Sequence, residues 1–303
     1  MRRILFVALL AMLILGALPL LSVNASPSPQ FAGCADEVDR EHGLRFVMRN
    51  LNGMTMRVTA IGVDGFNPTI TVLDNEDEIV TCNANSEEAS QVAVDLPTVT
   101  TEAPNEGAAR ASVNVPGDEG RLDYEVIVSG EDYSSGQFVF LYSGAEVFGS
   151  DNIDRVSIFP SQSMADAEVP LNMYVLNLSG GESAVDPALT FSFGENFEQY
   201  CGKSSSESLC DGDHEDLTGY TVTLDEETTR ELNGNDVMLR FNVGGEAGEF
   251  TARIGSYNAA TFGPYTMVVH SALAYPEDLG GDMSGDDMGE EDTEDEEDTG
   301  AEG

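Results

Sequence analysis

The same short phrase occurs twice in this chain, and this repetition constrains the fold more than any other feature. Residues 67–82 read NPTITVLDNEDEIVTC and residues 186–201 read DPALTFSFGENFEQYC, with no gap between the Pro and the Cys. Each phrase follows a strand-like segment and a Gly-containing turn, at 56–66 and at 172–185. The chain therefore contains two copies of a unit of about 100–120 residues, which is a usual domain size.

Apolar residues within these copies recur with a period of two. In one run, Leu189 and Phe191 alternate with Thr190 and Ser192. Such runs, bounded by Gly, Asn, Asp and Pro, are typical of strands with one buried face. They lie at 188–193, 220–224, 237–243 and 250–254. The sequence therefore predicts an all-β fold of antiparallel, jelly-roll-like β-sandwiches.

The repeat also predicts the domain organisation. We expect one β-sandwich domain at 34–143 and a second at 155–272, each closing its own apolar core. Each copy ends in a predicted hairpin with an aromatic-led last strand. On this alignment residues 111–116 correspond to 220–225, and a strand near 236–243 is an addition in the second copy.

The first residues have the pattern of a secretory signal peptide. Two arginines precede an apolar run from Ile4 to about Leu21, and the small residues Val23 and Ala25 precede a cleavable bond. We therefore assign residues 1–25 to a signal peptide and expect a secreted or cell-surface protein, with no membrane insertion after cleavage. A retained anchor is the alternative, because the run is just long enough to span a bilayer. Lipidation at FAGC is another.

Four cysteines remain after cleavage, which agrees with export. They are Cys34, Cys82, Cys201 and Cys210. Four cysteines allow three pairings, and the sequence does not choose among them. Pairing within each copy is the simplest arrangement, and buried free thiols are the alternative.

Charge excludes some partners. The chain has 55 acidic and 13 basic residues, for a formal net charge of −42. Nucleic acid and anionic lipid are unsuitable partners for such a surface, which leaves cations, basic partners or solubility alone. A saline habitat would also fit. Residues 276–303 hold fourteen acidic and no basic residues, so we expect them to be a disordered tail.

The repeated order resembles a known family. Each copy has a strand, an Asn-Pro or Asp-Pro that opens an alternating strand, a turn, a Cys and a closing hairpin. This resembles the bacterial pre-peptidase C-terminal domain, a small β-sandwich module. Asn67-Pro68 and Asp186-Pro187 hold the first position, residues 74–78 form the acidic turn, and Phe138 and Tyr265 start the closing strands.

The resemblance would cover most of residues 36–272. It implies a non-catalytic module that usually accompanies secreted enzymes and is credited with substrate or surface attachment and sometimes calcium binding. This chain departs from the pattern because no enzyme domain accompanies the modules, and the turn of the second copy is a poorer match.

Candidate chemistry is sparse. No nucleophile elbow, HExxH motif, P-loop or dinucleotide fingerprint occurs. Of the histidines, His42 lies near the N-terminal lead, His214 lies in an acidic loop, and His270 is interpreted as a half-exposed residue at a strand end. We therefore expect no enzymatic activity and no cofactor other than possible Ca²⁺.

Two acidic loops offer alternating carboxylates, the ligands that Ca²⁺ prefers. The candidate ligands are Asp74, Glu76, Glu78, Asp211, Asp213 and Glu215. Neither loop has the spacing of an EF-hand, and solvated acidic turns are the alternative interpretation.

The sequence thus predicts an exported, non-catalytic binding or adhesion protein. Its expected partners are an extracellular protein or polysaccharide, and cations. A structural component of an envelope or matrix is one alternative, and a divergent secreted hydrolase is another.

Overall fold

The computed structural model describes most of both repeats. The described residues are 38–51, 53–117, 122–148, 154–178, 186–194, 197–201, 217–245, 247–257 and 262–276. The predicted signal peptide, the acidic tail beyond Pro276, and the loop 211–215 lie outside them. So do Cys34, Cys210 and His214.

The described residues form eighteen strands, one short α-helix, α1 (Gln162–Asp166), and two 3₁₀ turns (Glu87–Ala89 and Glu131–Tyr133). The first repeat contributes β1 (Leu44–Leu51), β2 (Thr55–Gly62), β3 (Pro68–Leu73), β4 (Ile79–Ala84), β5 (Ala93–Leu96), β6 (Val99–Thr100), β7 (Ala109–Asn114), β8 (Leu122–Gly130) and β9 (Gly136–Phe148). The second contributes β10 (Asp154–Phe159), β11 (Leu171–Asn177), β12 (Pro187–Phe193), β13 (Phe197–Cys201), β14 (Thr221–Thr223), β15 (Thr229–Glu231), β16 (Val237–Leu239), β17 (Phe250–Ser256) and β18 (Phe262–Leu273).

The strands form three antiparallel sheets. The outer sheet has the order β13-β12-β17-β10-β1-β8-β3-β4, the middle sheet β16-β11-β18-β9-β2-β7, and the small sheet β15-β14-β5-β6. The all-β, antiparallel class predicted from the alternation is therefore confirmed.

All three sheets run through both repeats. The repeats meet at β1–β10 in the outer sheet, at β9–β18 in the middle sheet and at β5–β14 in the small sheet. Each strand order is palindromic when strands are numbered within their own repeat, as an approximate two-fold axis requires. The two repeats therefore share their sheets. The domain bounds 34–143 and 155–272 stay a prediction.

The main core lies between the outer and middle sheets and draws on both repeats. It includes Val72 from the first repeated phrase and Phe191 from the second, so the expectation of one closed core per copy does not describe this packing. Phe46 of β1 stacks on Phe140 of β9, with ring centroids 4.1 Å apart. Each fully buried phenylalanine contributes roughly 1.5–3 kcal/mol to the free energy of unfolding.

The middle sheet is buried on both faces. In β9, Phe138 and Phe140 belong to the main core, while Val139 and Leu141 belong to a second cluster with apolar residues of the small sheet, such as Val94. Successive side chains of a strand point to opposite faces, so a central layer must be apolar on both sides. This explains why β11 and β16 are buried along their whole length.

Sheet positions correct the alignment of the two repeats. β7 and β16 occupy the two edges of the middle sheet, and β5 and β14 are the inner strands of the small sheet. Residues 111–116 therefore correspond to the strand near 237, and 220–225 to β5. The strand near 236–243 is not an addition. Period-two alternation is the same in every half-buried strand, so it does not identify equivalent strands.

Helix α1 closes one end of the main core. Ser161 caps it, because its side-chain oxygen accepts a hydrogen bond from the Met164 N–H at 3.3 Å. Met164 and Ala165 are buried. Within the described part of the chain, no helix is long and apolar enough to cross a membrane.

Candidate binding site

A pocket lies on the face of the middle sheet that is turned toward the small sheet. Arg57 and Thr59 of β2, Arg110 of β7 and Ser143 of β9 line it, and the turn at residues 224–228 closes one side. Its inner part has a volume of about 160 Å³ and its outer part about 430 Å³. We call it the arginine pocket.

Strand alternation places these polar side chains together. Met56 and Val58 of β2 point into the main core, so Arg57 points to the opposite face. In the register of the sheet, Arg57 lies opposite Ser143, and Thr59 lies opposite Arg110. Two neighbouring strand pairs thus bring two arginines and two hydroxyls to one patch.

The two guanidinium groups differ in how they are held. The Arg110 Nε donates to the Thr59 Oγ1 at 3.0 Å, and its Nη2 donates to the Leu224 carbonyl at 2.8 Å. Burial and the nearby charge of Arg57 lower the pKa of Arg110. Arg57 is exposed and makes no hydrogen bond or ion pair with any described residue. Neither guanidinium is neutralised by a carboxylate within ion-pair distance in the described part of the chain.

Carboxylates surround the outer part of the pocket. The rim consists of Glu87, Glu88, Asp225, Glu226 and Glu227. Asp225 is held by its own turn, because its Oδ1 accepts the N–H groups of Glu227 at 3.0 Å and Thr228 at 2.8 Å. Partial burial acts to raise the pKa of Asp225, but a hydrogen bond from the Thr228 side chain, these backbone N–H groups and the charge of Arg110 lower it below its usual value.

The second repeat fills the equivalent position with neutral groups. There Asn172 of β11 lies opposite His270 of β18, and the turn between β5 and β6 packs over them through Thr98. The His270 Nδ1 lies 3.1 Å from the Thr98 Oγ1, and its Nε2 lies 3.3 Å from the Gln137 Oε1. The Thr98 hydroxyl also bonds the Tyr174 hydroxyl at 2.8 Å.

The position of His270 corrects the interpretation from sequence. It lies inside β18 rather than at its end, and only 5% of its surface is exposed. Burial lowers its pKa to about 4, so the ring is neutral at neutral pH. The prediction of a half-exposed histidine is wrong because the small sheet covers this face of the middle sheet.

A second group of arginines lies on the outward face of the outer sheet. Arg155 lies directly opposite Arg49 on one neighbouring strand and Arg253 on the other. Arg49 contacts Glu249 among other carboxylates, and Arg253 contacts Glu198 at 3.8 Å. These carboxylates neutralise the flanking arginines on an open surface, so this row is a weaker candidate than the arginine pocket.

The first proposed calcium loop is an exposed turn between β3 and β4. The Asp74 Oδ1 accepts the N–H groups of Glu76 at 2.8 Å and Glu78 at 3.0 Å, so this carboxylate stabilises the turn itself. Among the residues that the structure describes, no group of three or more His, Cys, Asp or Glu could hold a metal ion. The second proposed set, Asp211, Asp213 and Glu215, lies outside those residues. Calcium binding stays a prediction.

The described cysteines lie at opposite edges of the outer sheet, Cys82 in β4 and Cys201 in β13. Neither is a free thiol. The seven strand spacings between them, at about 4.8 Å each, are too many for a bond from one to the other. Pairing within each repeat, with Cys34 and Cys210, stays a prediction.

His42 is the other described histidine. Its Nδ1 lies 3.2 Å from the Asp39 carboxylate, and its ring packs beside Tyr275. It lies at the start of β1, away from the arginine pocket.

Comparisons with known proteins identify no relative. No protein-family model matches the chain, and no curated protein matches it. The fold and site therefore define only a class: a duplicated antiparallel β protein with an arginine pocket in its first repeat. The resemblance to the pre-peptidase C-terminal domain stays a prediction from the residues quoted above.

Sequence reasoning did not single out Arg57 or Arg110. One available signal was rarity, since the chain has only 13 basic residues, two of them in the predicted signal peptide. Both arginines occupy polar positions within alternating strands. Their proximity depends on strand register, which the alternation alone does not provide.

Proposed function

We propose that this chain is an exported, non-catalytic binding protein of the cell surface or medium, and that it holds an acidic group of its ligand in the arginine pocket. The observation that carries the proposal is a pair of guanidinium groups with no carboxylate at ion-pair distance among the described residues, in a chain whose net charge is −42. Where carboxylates are so abundant, a fold that keeps two arginines unpaired in a cavity has a site ready for a carboxylate or phosphate.

The energetics favour an anionic group at this position. Burial and the like charge of Arg57 disfavour the charged form of Arg110, and the nearby Glu88 and Asp225 offset this only in part, so an anion between the two arginines relieves the remaining repulsion. Charge-assisted hydrogen bonds from guanidinium groups contribute about 1.5–3 kcal/mol each. The Arg110 side chain is already fixed by Thr59 and by the Leu224 carbonyl, so little side-chain entropy remains to be lost on binding.

The lining supports binding rather than catalysis. Its polar groups are guanidinium, hydroxyl, amide and carboxylate groups, and no histidine, cysteine or lysine is found among the described residues that line it. A pocket of this size accepts a terminal group of an extracellular protein or polysaccharide, which are the partners we propose. The attachment role implied by the pre-peptidase resemblance points the same way.

The test uses the mature chain and one exposed side chain. Arrays of glycans and extracellular proteins should yield a ligand that raises the melting temperature, and Arg57→Gln should abolish both capture and the shift. Because Arg57 makes no hydrogen bond with any described residue, this variant should fold normally. Arg155→Gln is the matched control, since it removes an arginine on the outer sheet. Capture that Arg57→Gln leaves unchanged would refute the proposal.

Calcium stabilisation remains part of the proposal as an independent element. If the loop at 211–215 binds Ca²⁺, the melting temperature of the mature chain should rise with Ca²⁺ and fall with a chelator. Asp213→Asn should remove the shift and Glu76→Gln should preserve it. A melting curve that is the same with Ca²⁺ and with chelator would exclude this element.

A further inference from the structure

We infer that the ligand group held in the arginine pocket is a small zwitterion, with an oxyanion head at Arg57 and Arg110 and a cationic group at the carboxylate rim. This inference rests on the proposed function and names the chemical class of its ligand.

The outer part of the arginine pocket carries both positive and negative side chains. Two guanidinium groups and five carboxylates line the outer pocket. A simple anion must pass these carboxylates, and in a chain of net charge −42 it is repelled before it reaches the arginines. A simple cation reaches the rim but meets two guanidinium groups beneath it. Only a molecule that carries both charges is complementary to both parts.

The number of carboxylates that line the pocket differs between its inner and outer parts. Arg57 and Arg110 line both parts of the pocket, and among the described residues Asp225 is the one carboxylate that lines the inner part. Glu87, Glu88, Glu226 and Glu227 line only the outer part. The anionic head therefore enters first, and the cationic group remains near the mouth.

The Arg110 guanidinium and the Asp225 carboxylate are each held in place by different hydrogen-bond partners. Backbone N–H groups of the turn hold the Asp225 carboxylate, while Thr59 and the Leu224 carbonyl hold the Arg110 guanidinium. Asp225 and Glu88 lie near enough to attract Arg110, but each group is held by its own strand or turn, and no ion pair joins them among the described residues. Preorganised, separated charges are what a zwitterion requires.

The equivalent place in the second repeat provides a comparison. There the same strands and the same kind of turn meet through the neutral side chains of Asn172, His270 and Thr98, although Arg240 acts electrostatically on the neighbouring Tyr174. Neutral side chains are therefore sufficient for the hydrogen bonds between the strands and the turn at this place. The charges of the first repeat are an additional feature that a ligand explains.

The test is calorimetric titration of the mature full chain with matched probes. Phosphocholine and glycine betaine represent zwitterions, inorganic phosphate and acetate the anions, and choline the cation. We expect a zwitterion to bind at least tenfold more tightly than the anion or the cation from which it is built. Arg57→Gln should weaken zwitterion binding at least tenfold, and Arg155→Gln should not.

Neutralising the rim separates this inference from the broader proposal. The double substitution Glu88→Gln and Glu227→Gln should weaken zwitterion binding and strengthen binding of inorganic phosphate. Glu76→Gln, on the exposed turn after β3, is the control for loss of charge alone. Vesicles of phosphatidylcholine provide a further arm: sedimentation with the chain assigns the zwitterion to a lipid headgroup, and binding of free phosphocholine alone assigns it to a solute.

Two results would overturn the inference. If inorganic phosphate binds as tightly as phosphocholine and in an Arg57-dependent way, the ligand is a simple anion, and the proposed function survives. If no probe binds, the zwitterion is excluded, and the capture experiment with Arg57→Gln decides the proposed function separately.

Discussion

Lowering the pH should reduce the stability of the folded state through one buried side chain, His270, because burial disfavours protonation of its ring. The ring is almost fully buried, and its hydrogen-bond partners are neutral: Thr98, Asn172 and Gln137. Burial lowers its pKa to about 4, whereas an unfolded chain has a histidine pKa of about 6.5. The unfolded state therefore takes up a proton at a pH where the native state does not.

The sign and size follow from this difference. The stabilising contribution of neutral His270 is fully present above pH 6.5 and is lost as the pH falls toward 4. At roughly 1.4 kcal/mol per pH unit, the total loss is about 3 kcal/mol, of which about 2 kcal/mol is lost by pH 5. The sequence isoelectric point is near 4.1, so measurements that end at pH 5 avoid association of the uncharged protein.

The assay is urea unfolding of the native chain and of His270→Gln at pH 7 and pH 5. The 55 acidic residues also titrate in acid, so the informative quantity is the difference in unfolding free energy between the two proteins. This difference should shift by about 2 kcal/mol in favour of the variant on acidification. His42→Gln is the matched control for the loss of an imidazole ring at a partly exposed position. A difference for His270→Gln that stays constant within about 0.5 kcal/mol would refute the buried, neutral histidine.

Three further predictions concern packing and charge. Phe140→Ala should lower the free energy of unfolding by about 3–5 kcal/mol. Because the sheets are continuous through both repeats, urea should unfold the native chain in one transition that fluorescent probes in both repeats report together. Two separate transitions would contradict the shared core. Arg155→Thr should raise the free energy of unfolding at low salt by about 0.5 kcal/mol, because an arginine lies directly opposite Arg155 on each neighbouring strand. An equal effect at high salt would count against a charge origin. Asp236→Ala should cost about 3 kcal/mol in urea unfolding, because its buried carboxylate accepts two backbone N–H groups; a loss below about 1 kcal/mol would show that water replaces it.

Much of the local structure was predictable from alternation. The run at 188–193 is β12, with Leu189 and Phe191 buried and Thr190 partly exposed, and the run at 250–254 lies in β17. These predictions succeed because period-two alternation follows directly from strand geometry and one buried face. The run at 237–243 was only partly correct, since the strand ends at Leu239 and is buried on both sides.

The strand pairing that joins the two repeats was not predicted, although β9, β14 and β18 were predicted as strands. β1 buries Leu44, Phe46 and Met48 in alternation, but its importance comes from pairing with β10, more than a hundred residues later. Without knowing which strands are neighbours, the copies appear as separate domains. The same limit applies to the arginine pocket, where Arg57 and Arg110 meet only through the register of β2 with β7.

The sequence by itself determined the class of fold, the duplication and the acidic surface, because each of these depends on residue types and on spacings of a few residues. The tertiary structure alone decided which strands are neighbours, that three sheets pass through both repeats, that His270 is buried and that two arginines share a pocket. The physical reason is that alternation shows which face of a strand is buried, whereas the neighbour that buries it is selected by packing and hydrogen bonding over the whole chain.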